Sequence, residues 1–108
     1  MSAGDAPPYR VIVNGFMRES LRVLRARAVL VGVLHPFAQT MAEVESALQS
    51  HPTSWGDPLN VLPHLRFTRY HRVFDRLRII YAVHLDRPLV WLTNAIPIRH
   101  SPLRIGEG

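Results

Sequence analysis

Between Leu65 and Ala95 the chain passes through three stretches patterned as strands, Leu65–Phe74, Leu77–Leu85 and Leu89–Ala95, joined only by Asp75-Arg76 and Asp86-Arg87-Pro88. Connections of two and three residues are too short for a crossover, so the three strands form an antiparallel meander. A two-residue turn at Asp75-Arg76 sets Phe74 opposite Leu77, Val73 opposite Arg78, His71 opposite Ile80 and Arg69 opposite Ala82. Side chains alternate along a strand, so Leu77, Ile79, Tyr81, Val83 and Leu85 share one apolar face, while Arg69, His71, Val73, Arg78, Ile80 and Ala82 share the other. A slip of one residue would exchange the two faces.

The apolar face needs a cover, and the first half of the chain supplies one. Tyr9–Asn14 is rich in β-branched residues and is closed by Asn14-Gly15, which predicts a short strand. From Phe16 to Val33 the residues Met17, Leu21, Leu24, Ala28 and Val31 recur at spacings of three and four, while Arg18, Arg22 and Arg25 line a different face. His35-Pro36 interrupts this helix, and a second one follows to about Gln49 with the stripe Phe37, Met41, Val44 and Leu48. Ser50–Pro63 is dense in turn residues and reads as a loop. The expected domain is α+β with the order β-α-α-β-β-β, a helical hairpin on one face of a mainly antiparallel four-stranded sheet. It spans residues 9–100, with tails at 1–8 and 101–108.

All 13 basic residues are arginine, against 8 acidic ones, for a formal charge of +5. Arginine keeps its proton near neutral pH, so it can hold anions, stack or pair but cannot act there as a base. Residues 1–50 hold five arginines and four acids, and residues 51–108 hold eight and four, so the excess lies in the second half. Such a balance favours an anionic partner, nucleic acid or an acidic protein, although a coding bias toward arginine would give the same count.

The chain has no cysteine, which removes disulfides, thiolate metal sites and a cysteine nucleophile and is compatible with a reducing cytoplasm. Its six histidines lack metal-ligand spacing, and it has no glycine-rich phosphate loop, no Gly-x-Ser-x-Gly and no paired carboxylates in one element, so no metal and no cofactor is expected. Met1–Pro8 lacks the pattern of a secretory signal, and the longest apolar stretch, Ala28–Leu34, is far below the roughly 20 residues of a spanning helix. A soluble, cytoplasmic protein with no membrane partner is the expectation.

Candidate chemistry gathers between His64 and Arg78, where five arginines and the single acid Asp75 interleave with Phe67, Tyr70 and Phe74. Arginine forks hold phosphate oxygens and aromatic rings stack on bases, so this composition suits a nucleic-acid strand. Arg66, Arg72 and Arg76 read either as such contacts or as solvated charges at the sheet rim. His71, between Arg69 and Arg78 on the inferred open face, is the candidate general base.

Three stretches resemble the RelE/ParE toxin superfamily: Trp55-Gly56-Asp57-Pro58-Leu59, Arg69-Tyr70-His71-Arg72-Val73 and Leu77-Arg78-Ile79-Ile80-Tyr81-Ala82-Val83. They resemble that family's Gly-x-Pro-Leu loop, basic strand and Arg-hydrophobic-x-Tyr-x-Val strand in order, and the likeness covers roughly Tyr9 to His100. The resemblance implies a bacterial toxin or toxin-like protein of a type II toxin-antitoxin (plasmid stabilisation) pair. RelE-like members cleave mRNA on the ribosome with the 2′-hydroxyl as nucleophile, and ParE-like members inhibit DNA gyrase. By position, Arg78 matches the family arginine of the third strand, Arg69 and His71 lie where ribonuclease members carry basic residues, and Arg99 falls near a further basic position, with His100 beside it. The implied roles are phosphate stabilisation by Arg69 and Arg78, a base at His71, and Arg99 or His100 assisting the leaving oxygen. The implied partners are an acidic antitoxin and either RNA on the ribosome or gyrase, with a homodimer as a further assembly. The chain departs from the ribonuclease pattern in having no lysine on the basic strand and no tyrosine after Tyr81. That pattern also fits a ParE-like inhibitor or an inactive toxin-like domain.

Overall fold

The computed structural model describes residues 8–103. In chain order the elements are β1 (Arg10–Val13), α1 (Gly15–Leu30), α2 (Leu34–Ser50), α3 (Pro52–Trp55), β2 (Asp57–Leu62), β3 (Phe67–Phe74), β4 (Leu77–His84) and β5 (Leu89–Pro97). The fold is α+β with one five-stranded mixed sheet in the order β1-β5-β4-β3-β2, antiparallel except for the β1–β5 pair. No described helix is long and apolar enough to cross a membrane.

The β3–β4 hairpin has the register that a two-residue turn requires, from Phe74 opposite Leu77 to Phe67 opposite His84. Asp75 and Arg76 both take positive φ, 51° and 63°, the backbone sense of a type I′ turn, although neither is glycine. The Asp75 carboxylate accepts a hydrogen bond from the Thr40 hydroxyl on α2, which ties the turn to the helical layer.

The structure differs from the expectation at several points, among them a short helix, α3, inside the stretch Ser50–Pro63 read as a loop. The sheet has five strands, not four, because Asp57–Leu62 pairs antiparallel with β3 inside the stretch read as a loop. Its Pro58 has no N–H to donate, which an edge strand tolerates, and the register shifts between Pro58 and Asn60. Second, α1 ends at Leu30, capped through Gly32, and not at His35-Pro36. Gly32 takes φ 79°, Val33 N–H bonds the Ala28 carbonyl at 2.8 Å and Gly32 N–H bonds that of Val29 at 3.2 Å, a Schellman cap. Pro36 then sits within the first turn of α2. Third, Leu85 lies past the end of β4 and is exposed instead of joining the core. At the other end of α1, Asn14 is the N-cap, its side chain accepting from Met17 N–H at 2.8 Å.

The core lies between the helices and one face of the sheet. Met17, Leu24 and Ala28 of α1, Phe37, Val44, Ala47 and Leu48 of α2, and Trp55 of α3 meet Leu77, Ile79, Tyr81, Val83, Val90 and Leu92. Packing continues past the expected domain end, since Ser101 and Leu103 are buried and Leu103 joins the core. The expected tail at 1–8 lies outside the described residues except for Pro8, as do residues 104–108.

Tyr81 sits at the centre, fully buried. Its ring stacks on Tyr70 at 5.4 Å, and its hydroxyl donates to the Pro52 carbonyl at 2.6 Å, fastening α3 over the sheet. Burial raises the phenol above the ordinary tyrosine value, an effect partly offset by the Gly56 backbone. Gly56 is required by space: a Cβ there would lie 2.7 Å from both the His71 carbonyl oxygen and the Tyr81 hydroxyl.

Two outcomes are expected. Gly56→Ala should lower stability in urea denaturation by about 1–3 kcal/mol, because backbone must shift to admit the methyl. The raised phenol favours the neutral form in the folded state. Its contribution to stability is therefore constant below pH 10 and declines as pH rises beyond that value. Tyr81→Phe should remove that alkaline decline while costing about 1–3 kcal/mol at neutral pH, since the Pro52 carbonyl loses its donor.

Candidate functional site

The sheet face opposite the helices carries Arg69, His71 and Arg78. Arg69 pairs with Ala82, His71 with Ile80 and Val73 with Arg78, so the three side chains alternate onto the face that the core cluster leaves out. Arg78 is a diagonal neighbour of His71, roughly 7–8 Å away in such a ladder and within reach of a long side chain. The face is therefore a surface of long polar side chains over a thin apolar floor. That floor is Phe67, Ile80 and Ala82, all buried although no described helix packs on them.

Two residues of β2 complete this surface. Asn60 pairs with Arg69 and its side-chain oxygen accepts from the guanidinium at 3.1 Å. Asp57 lies directly across from His71, a separation of roughly 4.5–5.5 Å between Cβ atoms. The His71 Nδ1 atom is buried without a hydrogen-bond partner among the described residues. From the β5 side, Asn94 pairs with Ile80, and Trp91 pairs with Ala82 in the row that also holds Arg69.

The remaining arginines separate by environment. Arg72 pairs with Ile79 and so points to the helical side, where its guanidinium donates to the Trp55 carbonyl at 2.6 Å and stacks 4.9 Å from the Trp55 ring and 5.9 Å from that of Phe74. It clamps α3 to the sheet and does not share the face of Arg69 and Arg78. Arg66, in the turn before β3 with φ 59°, pairs with Asp86 at 2.5 and 2.9 Å, and the bond holds the Asp86 carboxyl below its ordinary value. Arg76, in the type I′ turn, donates to the His100 carbonyl at 3.2 Å. Arg99 and His100 are exposed just beyond β5, so Arg76, Arg99 and His100 gather at the turn end of the sheet. Arg78 stands between that end and the Arg69–His71 pair, while Arg76 lies about 20 Å from Arg69 along the hairpin and lines a pocket with Phe37 and Thr40 of α2.

The aromatic residues of the basic strand are engaged inside the fold. Tyr70 stacks on Tyr81 and Phe74 packs edge-on against Trp55 at 5.7 Å. Phe67 faces the open side but is buried against His84 at 5.0 Å and Trp91 at 5.8 Å. Asp57 and Asn60 are missed by sequence reasoning because Gly56, Pro58 and Pro63 make their segment look like a loop. Trp91 was legible in principle: Val90 and Leu92 face the core, so the residue between them faces away.

Among the described residues no group of histidines and acids is placed to hold a metal ion. The chemistry that the face can support is anion binding by arginine, with one imidazole for proton transfer. Compared with protein-family models, curated proteins and solved structures, the chain finds no match.

The two roles of arginine separate by experiment. Arg72→Ala should destabilise the fold by about 1–3 kcal/mol, through the lost bond to the Trp55 carbonyl and the lost stacking. Arg69→Ala, which removes one exposed hydrogen bond to Asn60, should change stability by less than about 0.5 kcal/mol. Urea denaturation of both variants checks the contrast.

Proposed function

We propose that this chain is a toxin-like protein of the RelE/ParE kind that cleaves mRNA on the ribosome, with an acidic antitoxin as its partner. The observation that carries the reading is the convergence of Arg69, His71 and Arg78 on the sheet face away from the helices. The β-α-α opening and the antiparallel meander support it, with β2 as an added edge strand.

In this reading the arginines hold the scissile phosphate and offset the charge that builds on its oxygens in the transition state. His71 takes the proton of the attacking 2′-hydroxyl, the oxygen–phosphorus bond forms, and the 5′-oxygen leaves with a proton delivered from Arg99 or His100 beyond the end of β5. Arginine cannot accept the first proton, so that role falls to the His71 imidazole, on the same face as Arg69 and Arg78.

A ParE-like action on gyrase is the second reading. The observation favouring it is that Arg72 and Arg76 are already bonded to carbonyl oxygens of the chain itself, which leaves fewer arginines for RNA.

The test is inducible expression in a bacterial host with mapping of mRNA ends on ribosomes. Expression should arrest growth and produce ribosome-dependent cleavage, and Arg78→Ala should abolish both. Cleavage that persists unchanged in the Arg78→Ala protein would overturn the nuclease reading. Loss of gyrase supercoiling activity at micromolar purified protein, without mRNA cleavage, would select the second reading.

A further inference from the structure

Three large apolar side chains stand out to solvent along one line of α1: Phe16 at 68% exposure, Val23 at 43% and Leu30 at 78%. They are spaced by seven residues, so they share one face of the helix and drift by only about 20° from one to the next. Met17, Leu24 and Ala28 carry the core face of the same helix, which makes the outer stripe a second apolar face without cover among the described residues. It continues onto the sheet through a groove of about 310 Å³, lined by Phe16, Val23 and Leu24 of α1 and by Ala95, Ile96 and Pro97 of β5, with Ile96 itself exposed. A single exposed apolar residue needs no partner, but a stripe about 21 Å long marks an interaction surface.

The order of residues along this face says what covers it. Phe16 and Leu30 lie seven residues to either side of Val23, Glu19 and Arg27 four, and Ser20 and Ala26 three. Two copies of α1 laid antiparallel about a two-fold axis at Val23 therefore set Phe16 against Leu30 twice, Glu19 against Arg27 twice, and Val23 against itself. Ser20 opposes Ala26, and small residues there let the helix axes approach to roughly 8–10 Å. The Arg27 Nε atom is buried and has no hydrogen-bond partner among the described residues. Glu19 is bonded to Arg22 of its own helix in an exposed pair, and its carboxylate has acceptor positions to spare. Arg18 and Arg25 stand about 140–160° around the helix from Val23, so they do not meet across the axis.

We infer that α1 pairs with α1 of a second copy of this chain, antiparallel about a two-fold axis at Val23. The inference is independent of the reading of the sheet face. One helix stripe and one sheet end per copy make a patch at the small end of specific interfaces, roughly below 1,200 Å² in total, so monomer and dimer exchange with concentration.

Analytical ultracentrifugation of the purified full chain over a concentration series should show a monomer–dimer equilibrium. Val23→Arg sets like charges against each other at the axis and should raise the dimer dissociation constant roughly tenfold or more. Glu19→Arg and Arg27→Glu should each weaken the dimer, because like charges then face each other across the seam. An equimolar mixture of these two variants should recover a heterodimer, since every facing pair is again opposite in sign. The chain has no cysteine, so Val23→Cys should give a covalent dimer on mild oxidation, whereas Arg25→Cys, on another face of α1, should stay monomeric. Circular dichroism of each variant confirms that it is folded. A wild-type monomer at every concentration would overturn the inference and leave the stripe to a different partner. A dimer that Val23→Arg leaves intact and Val23→Cys does not cross-link would overturn it as well, by placing the interface on another face.

Discussion

Which side chains meet which partner is decided at the Asp75-Arg76 turn. Two residues with positive φ reverse the chain and lock β3 to β4 in one register. Because side chains alternate, the register assigns every arginine of the hairpin to one of two environments. Thr40 bonds Asp75 from α2, so the turn is held from the helical side as well as by its own backbone. Left-handed backbone at two non-glycine residues is costly, on the order of 1–2 kcal/mol each. The ladder of β3 and β4 and the anchor to α2 offset it.

The same alternation divides like charges between unlike jobs. Arg72 and Arg69 stand three residues apart on one strand and face opposite ways. Arg72 lies over Trp55, bonds its carbonyl and fixes the segment that carries Gly56 into β2. Gly56 in turn must approach the His71 carbonyl and the Tyr81 hydroxyl too closely for any side chain. The helical side thereby positions β2, and β2 brings Asp57 and Asn60 to the open face beside His71 and Arg69. Counting charge along the chain cannot separate these roles, because both arginines contribute equally to the total of +5.

This explains what was legible in the sequence. The β3–β4 register from Phe74 opposite Leu77 to Arg69 opposite Ala82 could be read from the two-residue connection, and the convergence of Arg69, His71 and Arg78 followed from it, whereas the outer ends at Leu65 and Leu85 lie outside the ladder. β2 was hidden because its ladder is short, irregular at Pro58–Asn60 and exposed, so it lacks the apolar alternation that marks a half-buried strand. The end of α1 was misplaced because proline is the louder signal, yet Gly32 supplies the positive φ that a Schellman cap needs. The engagement of Arg72 depends on Trp55, which is distant along the chain and brought near only by the packing of α3.

An arginine-only complement shapes what the proposed face could do. Guanidinium groups hold their charge across the whole physiological range, so attraction for phosphate is fixed and undirected in proton terms. Proton transfer then falls to the imidazoles, and only His71 lies between Arg69 and Arg78. The aromatic residues nearest in sequence to the arginines, Tyr70 and Phe74, are committed to the core, and Phe67 to the floor of the open face. The arginines and the imidazole of the proposed face thus come from two neighbouring strands, and both depend on the hairpin register to stand on the same side of the sheet.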